Sequence, residues 1–292
     1  MSTGIRTIGV AGCGTMGAGI AIVAARAGFD TVMYDLATEN LERASTQIGG
    51  FFEQSVRRGK LTEEAADSAQ KAMVPTSDLA DLAACDIVIE AVFEDLSVKQ
   101  ELFHALDLVC PSRTIFATNT STLSVTEIAS GCERPDRVVG LHFCLPAQLM
   151  KLIEVTPGVL TAEDVLVAAW DLCLELGQDP VRTSDTPGFV LNYIVVPLNN
   201  DAIRLVEAGV AEPAEIDTAL KQGMGYSMGP CELLDLIGLD TQIRLCEAFH
   251  AVTNDPRHAA PPLLRRMVAA GHLGRKTGRG FYTYERDAMF GG

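Results

Sequence analysis

The spacing of apolar and polar positions divides the chain into two regions. In the first, short apolar runs rich in β-branched residues alternate with stretches of helical spacing. Thr7 to Ala11 and Thr31 to Tyr34 read as buried strands, and the small residues from Ala18 to Ala27 between them read as a helix. Further strand-like runs are Cys85 to Phe93, Thr114 to Thr118, Arg137 to Phe143, Lys151 to Thr156 and Asp179 to Thr183. Val98 to Val109 and Thr161 to Leu176 have the helical period, and Ser97-Val-Lys-Gln100 and Ser124-Val-Thr-Glu127 read as capping boxes. Buried strands alternating with helices predict an α/β doubly wound sheet.

Residues 36–74 interrupt this order. Leu41, Ala44, Ile48, Phe51, Phe52 and Val56 recur at helical spacing, and Arg57-Arg58-Gly59-Lys60 breaks the run. Thr62 then stands as N-cap of a second helix. The pattern predicts a helical hairpin inserted into the sheet domain, with a basic tip. From Thr186-Pro-Gly188 onward the strand pattern ends. Helices are expected over about 188–208, 213–221, 230–237, 240–253 and 261–270, with Pro213 and Pro230 in first turns. The expected domains are therefore 1–185, built on the sheet, and 186–292, all-α.

Composition narrows the function classes. A chain of 292 residues, 48% hydrophobic and 21% charged, has room for two globular cores. A net charge of −15 argues against nucleic acid or an anionic membrane as partner. Eight scattered cysteines show no C-x-x-C, so neither a metal site nor a disulfide framework is expected. The start lacks a basic region and a cleavage site, so a cytoplasmic location is expected. Thr7 to Ala25 carries no charge, but its five glycines favour a strand–helix unit over a membrane span.

That unit contains Gly12, Gly14 and Gly17 in G-x-G-x-x-G spacing, with Thr15 and Met16 inside the turn. Such a turn lets a backbone approach a pyrophosphate at a helix N-terminus. Asp35 ends the next strand, where a carboxylate holds ribose hydroxyls. Strand, glycine turn, helix, strand and Asp together predict a Rossmann-type dinucleotide site. Asp35, with no Arg or Lys from Leu36 to Asn40, favours NAD over NADP.

Of five histidines, His142 lies in a strand near other polar candidates, and Glu154 lies on the following strand. If the two strands pair, a carboxylate faces an imidazole, a device for taking a proton from an alcohol. Ser121 and Asn192 are candidates for hydrogen bonds to the substrate oxygen. Spacing alone leaves open that His142 is a satisfied core residue.

Gly-Leu-His142-Phe and Met-Lys-Leu-Ile-Glu154-Val resemble the signature of the 3-hydroxyacyl-CoA dehydrogenase family, including bacterial 3-hydroxybutyryl-CoA dehydrogenases. So do Glu94-Asp-Leu-Ser-Val-Lys99, Asn119-Thr-Ser121, Asp-Thr-Pro-Gly-Phe-Val-Leu-Asn192, Met-Gly-Pro-Cys-Glu-Leu-Leu-Asp-Leu-Ile-Gly and Gly-Arg-Lys-Thr-Gly-Arg-Gly-Phe-Tyr. The resemblance spans the chain with its motifs in order. It implies NAD as cofactor, a 3-hydroxyacyl-CoA substrate and a helical domain that makes a homodimer. By position it implies His142 as base, Glu154 as its partner, and Ser121 and Asn192 as substrate hydrogen-bonders. It places Glu94, Lys99 and Asn119 on the nicotinamide side, and Arg57, Arg58 and Lys60 at the CoA tail.

Three departures lie away from the nucleotide motif. The family usually has Phe-Asn-Pro where this chain has Cys144-Leu145-Pro146, Arg where it has Tyr193, and Gly-His-Pro where it has Gly-Tyr226-Ser227. They leave open an acyl-carrier-protein thioester, such as a glyceryl one, or a free 3-hydroxy acid. The 6-phosphogluconate and 3-hydroxyisobutyrate type has a similar start but uses a helical lysine, and no lysine here sits in that motif. A non-catalytic nicotinamide-binding protein is disfavoured by Ser121, His142, Glu154 and Asn192 occurring together.

Overall fold

The computed structural model describes residues 4–285. The chain packs as two compact units that meet in sequence between Phe189 and Val190. In the first unit, one sheet holds eight strands: β1 (Thr7–Ala11), β2 (Asp30–Tyr34), β3 (Met73–Thr76), β4 (Ile87–Glu90), β5 (Ile115–Thr118), β6 (Val138–Phe143), β7 (Leu152–Pro157) and β8 (Asp179–Arg182). Their spatial order is β3-β2-β1-β4-β5-β6-β7-β8. Every neighbouring pair is parallel except β6 with β7.

Side chains of a strand alternate between faces, and the core divides accordingly. Ile87 and Ile89 of β4 join one apolar cluster, while Val88 joins the other. The first cluster takes in α1 (Thr15–Arg26), α2 (Thr38–Arg57), α3 (Glu63–Lys71) and, further along the chain, the helix Glu163–Glu175. The second takes in α4 (Leu96–Val109) and α5 (Val125–Ala129). The helix Glu163–Glu175 is α6.

The inserted hairpin is α2 and α3. Leu41, Ala44, Ile48 and Phe52 turn inward, and the Thr62 hydroxyl accepts the Ala65 N–H at 3.1 Å. Strand β3 follows it, where the sequence pattern gave no strand. Its residues are half-buried or exposed and include Pro75, so the alternation signal is weak. Proline lacks the N–H that a central strand must donate, and both edge strands here carry one, Pro75 and Pro180. The helix expected at Val98 starts at Leu96. Asp95 is its cap, accepting the Val98 N–H at 3.2 Å, and Ser97 donates to Asp95.

Helix α1 lies close on the sheet because its residues are small; Gly17 to Ala25 are all buried. A Cβ on Gly17 would collide with the carbonyl oxygen of Gly12. Gly17→Ala must push helix and loop apart, and a loss of about 1–3 kcal/mol is expected, as for overpacking. Denaturant unfolding checks this; an unchanged midpoint would contradict the contact.

The second unit is helical: α7 (Leu191–Glu207), α8 (Pro213–Met224), α9 (Pro230–Ile237), α10 (Leu239–Thr253) and α11 (Pro262–Ala269). Val196, Ile203, Leu234, Cys246, Phe249 and Leu264 are in its core. Helix α7 starts later than the expected residue 188, because Gly188 (φ 75°) and Phe189 (φ 52°) leave the helical region. The Gly-Arg-Gly-Phe-Tyr segment is tied to α9, since buried Asp235 accepts the N–H groups of Phe281 and Tyr282 at 2.9 Å each. Among the described residues no helix is long and apolar enough to cross a membrane.

Candidate active site

Strand β1 runs into Gly12, whose φ of 99° turns the chain back against β4. A Cβ there would stand 2.7 Å from the Ala91 carbonyl oxygen, so only glycine fits. A Cβ on Gly14, by contrast, meets nothing within 4 Å. Helix α1 begins at Thr15 with no side-chain cap and no acid in its first turn. The N–H groups of Thr15, Met16 and Gly17 therefore lack intrahelical acceptors, at the positive end of the helix dipole. Asp35 is held beside this loop: it accepts the Cys13 N–H at 2.8 Å, the Ala37 N–H at 3.0 Å and the Asn40 amide at 2.9 Å. Burial, and then the Asp35 charge, pushes the Cys13 thiol up to about 12. No thiolate forms where an anion would sit. An open glycine turn, free helix N–H groups and a fixed carboxylate fit a dinucleotide.

Strands β6 and β7 form a hairpin whose register sets His142 opposite Glu154. The imidazole Nδ1 lies 2.7 Å from Glu154 Oε2, and both residues are buried. A carboxylate only accepts, so Nδ1 carries the proton and Nε2 presents its lone pair. The Ser121 hydroxyl, 3.1 Å away, donates to Nε2. With Nε2 unprotonated the ring is a base of fixed tautomer, and the buried Glu154 carboxylate stabilises it once protonated. Cys144 is the nearby nucleophile to exclude. Burial, and then the Glu154 charge, pushes its thiol up to about 11, so it stays protonated at neutral pH.

The loop after β5 that carries Ser121 is held by a chain of ion pairs. Lys99, 1% exposed, reaches Glu90 at 2.6 Å and Glu94 at 3.2 Å. Glu94 in turn accepts the Ser121 N–H at 2.7 Å, the Thr122 N–H at 2.9 Å and the Thr120 hydroxyl at 2.6 Å. Burial pushes the Glu94 carboxyl up, but Lys99 and these donors outweigh it and bring it below the usual carboxylate range. Glu90 lies deeper. Burial pushes it above its ordinary value, against Lys99, the Thr118 hydroxyl and the Val92 N–H. Asn119 accepts the Phe143 N–H at 2.8 Å and so joins this loop to the end of β6.

Comparison with known proteins agrees with this geometry. Residues 7–186 match the family described as 3-hydroxyacyl-CoA dehydrogenase, NAD binding domain, and residues 188–284 match its C-terminal domain. The chain belongs to the 3-hydroxyacyl-CoA dehydrogenase family. A probable 3-hydroxybutyryl-CoA dehydrogenase of Bacillus subtilis is 43% identical over 96% of this chain and 98% of its own length. The 3-hydroxyadipyl-CoA dehydrogenase of Escherichia coli K12 is 44% identical over all of this chain, which spans 62% of that longer protein. The crystal structure of (S)-3-hydroxybutyryl-CoA dehydrogenase from Ralstonia eutropha superposes with a TM-score of 0.90 at 38% identity. That match covers 97% of this chain and all of the other. The protein is accordingly an NAD-dependent dehydrogenase with a Rossmann-type domain followed by a helical one.

In this dehydrogenase the candidates from sequence fall into three places. Ser121, His142 and Glu154 form one hydrogen-bonded chain, with Asn119 and Glu94 bracing it. Lys99 is buried and pairs with the carboxylates of Glu90 and Glu94. Asn192 is half-buried in the first turn of α7, in the second unit. Arg57, Arg58 and Lys60 are exposed at the hairpin tip. Arg57 lines a groove between α2 and α3 together with Glu53, Glu63 and Asp67. Sequence reasoning passed over Glu90 and Asp185. Glu90 was marked by being a charged residue inside an apolar strand run. Asp185 accepts from Ser124, Val125 and Thr126 at the start of α5, and only the fold brings those residues to it.

Proposed function

We propose that the enzyme interconverts a short-chain 3-hydroxyacyl-CoA and the corresponding 3-oxoacyl-CoA, with His142 as acid and base. The observation that carries this is the Glu154–His142–Ser121 chain at the carboxyl end of the sheet. NAD in the glycine-loop site supplies the hydride acceptor. His142 Nε2 takes the proton of the substrate hydroxyl, and Glu154 stabilises the resulting imidazolium through Nδ1–H. In reduction the same Nε2 returns the proton to the substrate oxygen. The Ser121 hydroxyl, placed by Glu94, donates to that oxygen.

Asp35 supports NAD over NADP. A second anion against it costs several kcal/mol, so a preference of at least about 100-fold in kcat/KM is expected. Equal efficiency with the two cofactors would contradict this reading of Asp35.

The names of full-length relatives support CoA as carrier. Charge alone does not separate the carriers, because a net −15 opposes the CoA phosphates and an acidic carrier protein alike. Arg57, Arg58 and Lys60, exposed at the hairpin tip, are the cations proposed to meet the CoA phosphates. Arg57→Ala with Lys60→Ala should raise KM for acetoacetyl-CoA about 2- to 10-fold at low salt, and less at high salt. An unchanged KM would remove the tip from the site. Leu145, 47% exposed beside Cys144, suits a short unsubstituted acyl chain at least as well as a polyhydroxy one. Exposed Tyr193 and Ile194 on α7 support a homodimer through the helical unit, and a cytoplasmic location fits eight free cysteines. Activity on acetoacetyl-CoA tests the substrate; inactivity there with turnover of a carrier-bound or free hydroxy acid would favour the alternative.

A further inference from the structure

Two hydrogen bonds hold the His142 ring, Nδ1 to Glu154 and Nε2 to Ser121. When a substrate oxygen takes the place of the Ser121 hydroxyl at Nε2, the Glu154 bond is the one hydrogen bond left to hold the ring. Rotation about Cβ–Cγ then swings the Nε2 lone pair away from that oxygen. A side chain packed against the ring limits that rotation.

The side chain that does so is Phe189. Its ring centroid lies 5.5 Å from that of His142, with 48° between the planes, within the range of packed aromatic rings. Phe189 is 5% exposed and belongs to the core cluster on the α4 and α5 side of the sheet. Its backbone is unusual: φ is 52°, a left-handed conformation that a bulky residue rarely adopts. Strain of this kind persists only where surrounding structure over-determines it. Here the constraints are on the page. Asp185 is held by the Ser124 hydroxyl at 2.8 Å, the Val125 N–H at 2.8 Å and the Thr126 N–H at 2.9 Å. Gly188 turns with φ 75°, and the Phe189 N–H donates to the Thr186 carbonyl at 3.0 Å. Asp185 thus anchors one end of the segment to the sheet unit, and the turn delivers the aromatic ring to the imidazole.

We propose that Phe189 is a positioning residue for His142, limiting rotation of the imidazole about Cβ–Cγ so that Nε2 stays aimed at the substrate oxygen. The proposal rests on His142 being the acid and base. Phe189→Leu keeps an apolar side chain on the same left-handed backbone and removes the flat face. It should lower kcat about tenfold, with KM for acetoacetyl-CoA and the dissociation constant of NAD each within about twofold. Phe189→Tyr restores the ring and should restore kcat to within about twofold of the parent enzyme. Because Phe189 acts through His142, adding Phe189→Leu to His142→Gln should change the residual kcat little, whereas a merely structural loss would multiply. If the Leu variant folds poorly, Phe189→Met takes its place with the same expectations. Full kcat in the Leu variant overturns the proposal, as does an undiminished tenfold loss in the His142→Gln background. An active His142→Gln enzyme would instead sink the assignment of the base, so the two failures are distinguishable.

Discussion

His142→Gln lowers kcat for acetoacetyl-CoA reduction by about 10²- to 10⁴-fold, the usual contribution of a positioned acid or base, while NAD binds as in the parent enzyme. The two effects separate because the imidazole and the glycine loop are distinct parts of the sheet edge. His142 sits at the end of β6, whereas the free N–H groups open α1 and the Asp35 carboxylate follows β2. The glutamine amide fills much of the same volume and bonds to Glu154 and Ser121, but it cannot take or give a proton at neutral pH. Glu154→Ala should cost less in kcat, because the imidazole survives. It removes the anion 2.7 Å from Nδ1, so the tautomer is no longer enforced and the imidazolium loses its counter-charge. Steady-state kinetics alongside an NAD binding titration reads both effects. Near-normal kcat in His142→Gln would discard the mechanism, and a parallel loss of NAD affinity would place the residue elsewhere in the site.

Lys99→Met should destabilise the sheet unit by about 3–5 kcal/mol, the range for removing one member of a buried ion pair. For a protein of this size that lowers the thermal midpoint by roughly 6–20 °C. Lys99 is 1% exposed and Glu90 fully buried, so the substitution leaves a carboxylate with no counter-charge in the interior. Burial already pushes Glu90 above its ordinary value, and protonation of that carboxyl sets the ceiling on the cost. Methionine matches the length of the lysine stem, so the loss is electrostatic and not a cavity. Glu90→Gln combined with Lys99→Met should recover more than half of the lost stability, since no unpaired charge then remains at the strand. Folded Lys99→Met enzyme should also lose kcat, because Glu94 no longer has the cation that holds its carboxylate while it accepts the Ser121 N–H. A thermal midpoint unchanged by Lys99→Met would contradict the buried network.

What was legible in the sequence is what short-range pattern encodes. The glycine turn and Asp35 stand within one strand–helix–strand unit, where spacing and geometry are tied together. The hairpin of α2 and α3 is announced by its period, its Arg-Arg-Gly-Lys break and Thr62. The pairing of the His142 and Glu154 strands follows from a short loop, which leaves an antiparallel partner within reach. Other features depend on contacts that no local pattern records. Strand β3 is half-exposed and carries Pro75, so its alternation is blurred. Lys99 is nine residues after Glu90 in the chain, and only the packing of α4 over the sheet brings the two together. Asp95 rather than Ser97 caps that helix, a choice between adjacent polar residues that composition does not decide. The backbone of Phe189 follows from Asp185 reaching across to α5, a contact between residues far apart in sequence.

The base and the acyl carrier are tested together by NADH consumption with acetoacetyl-CoA, run on the parent enzyme and on His142→Gln. Turnover of acetoacetyl-CoA by the parent enzyme, lost by about 10²-fold or more in the variant, is the expected result. A parent enzyme inert toward acetoacetyl-CoA, yet active on a carrier-protein thioester or a free hydroxy acid, would contradict the substrate; equal turnover by the two proteins would contradict the base.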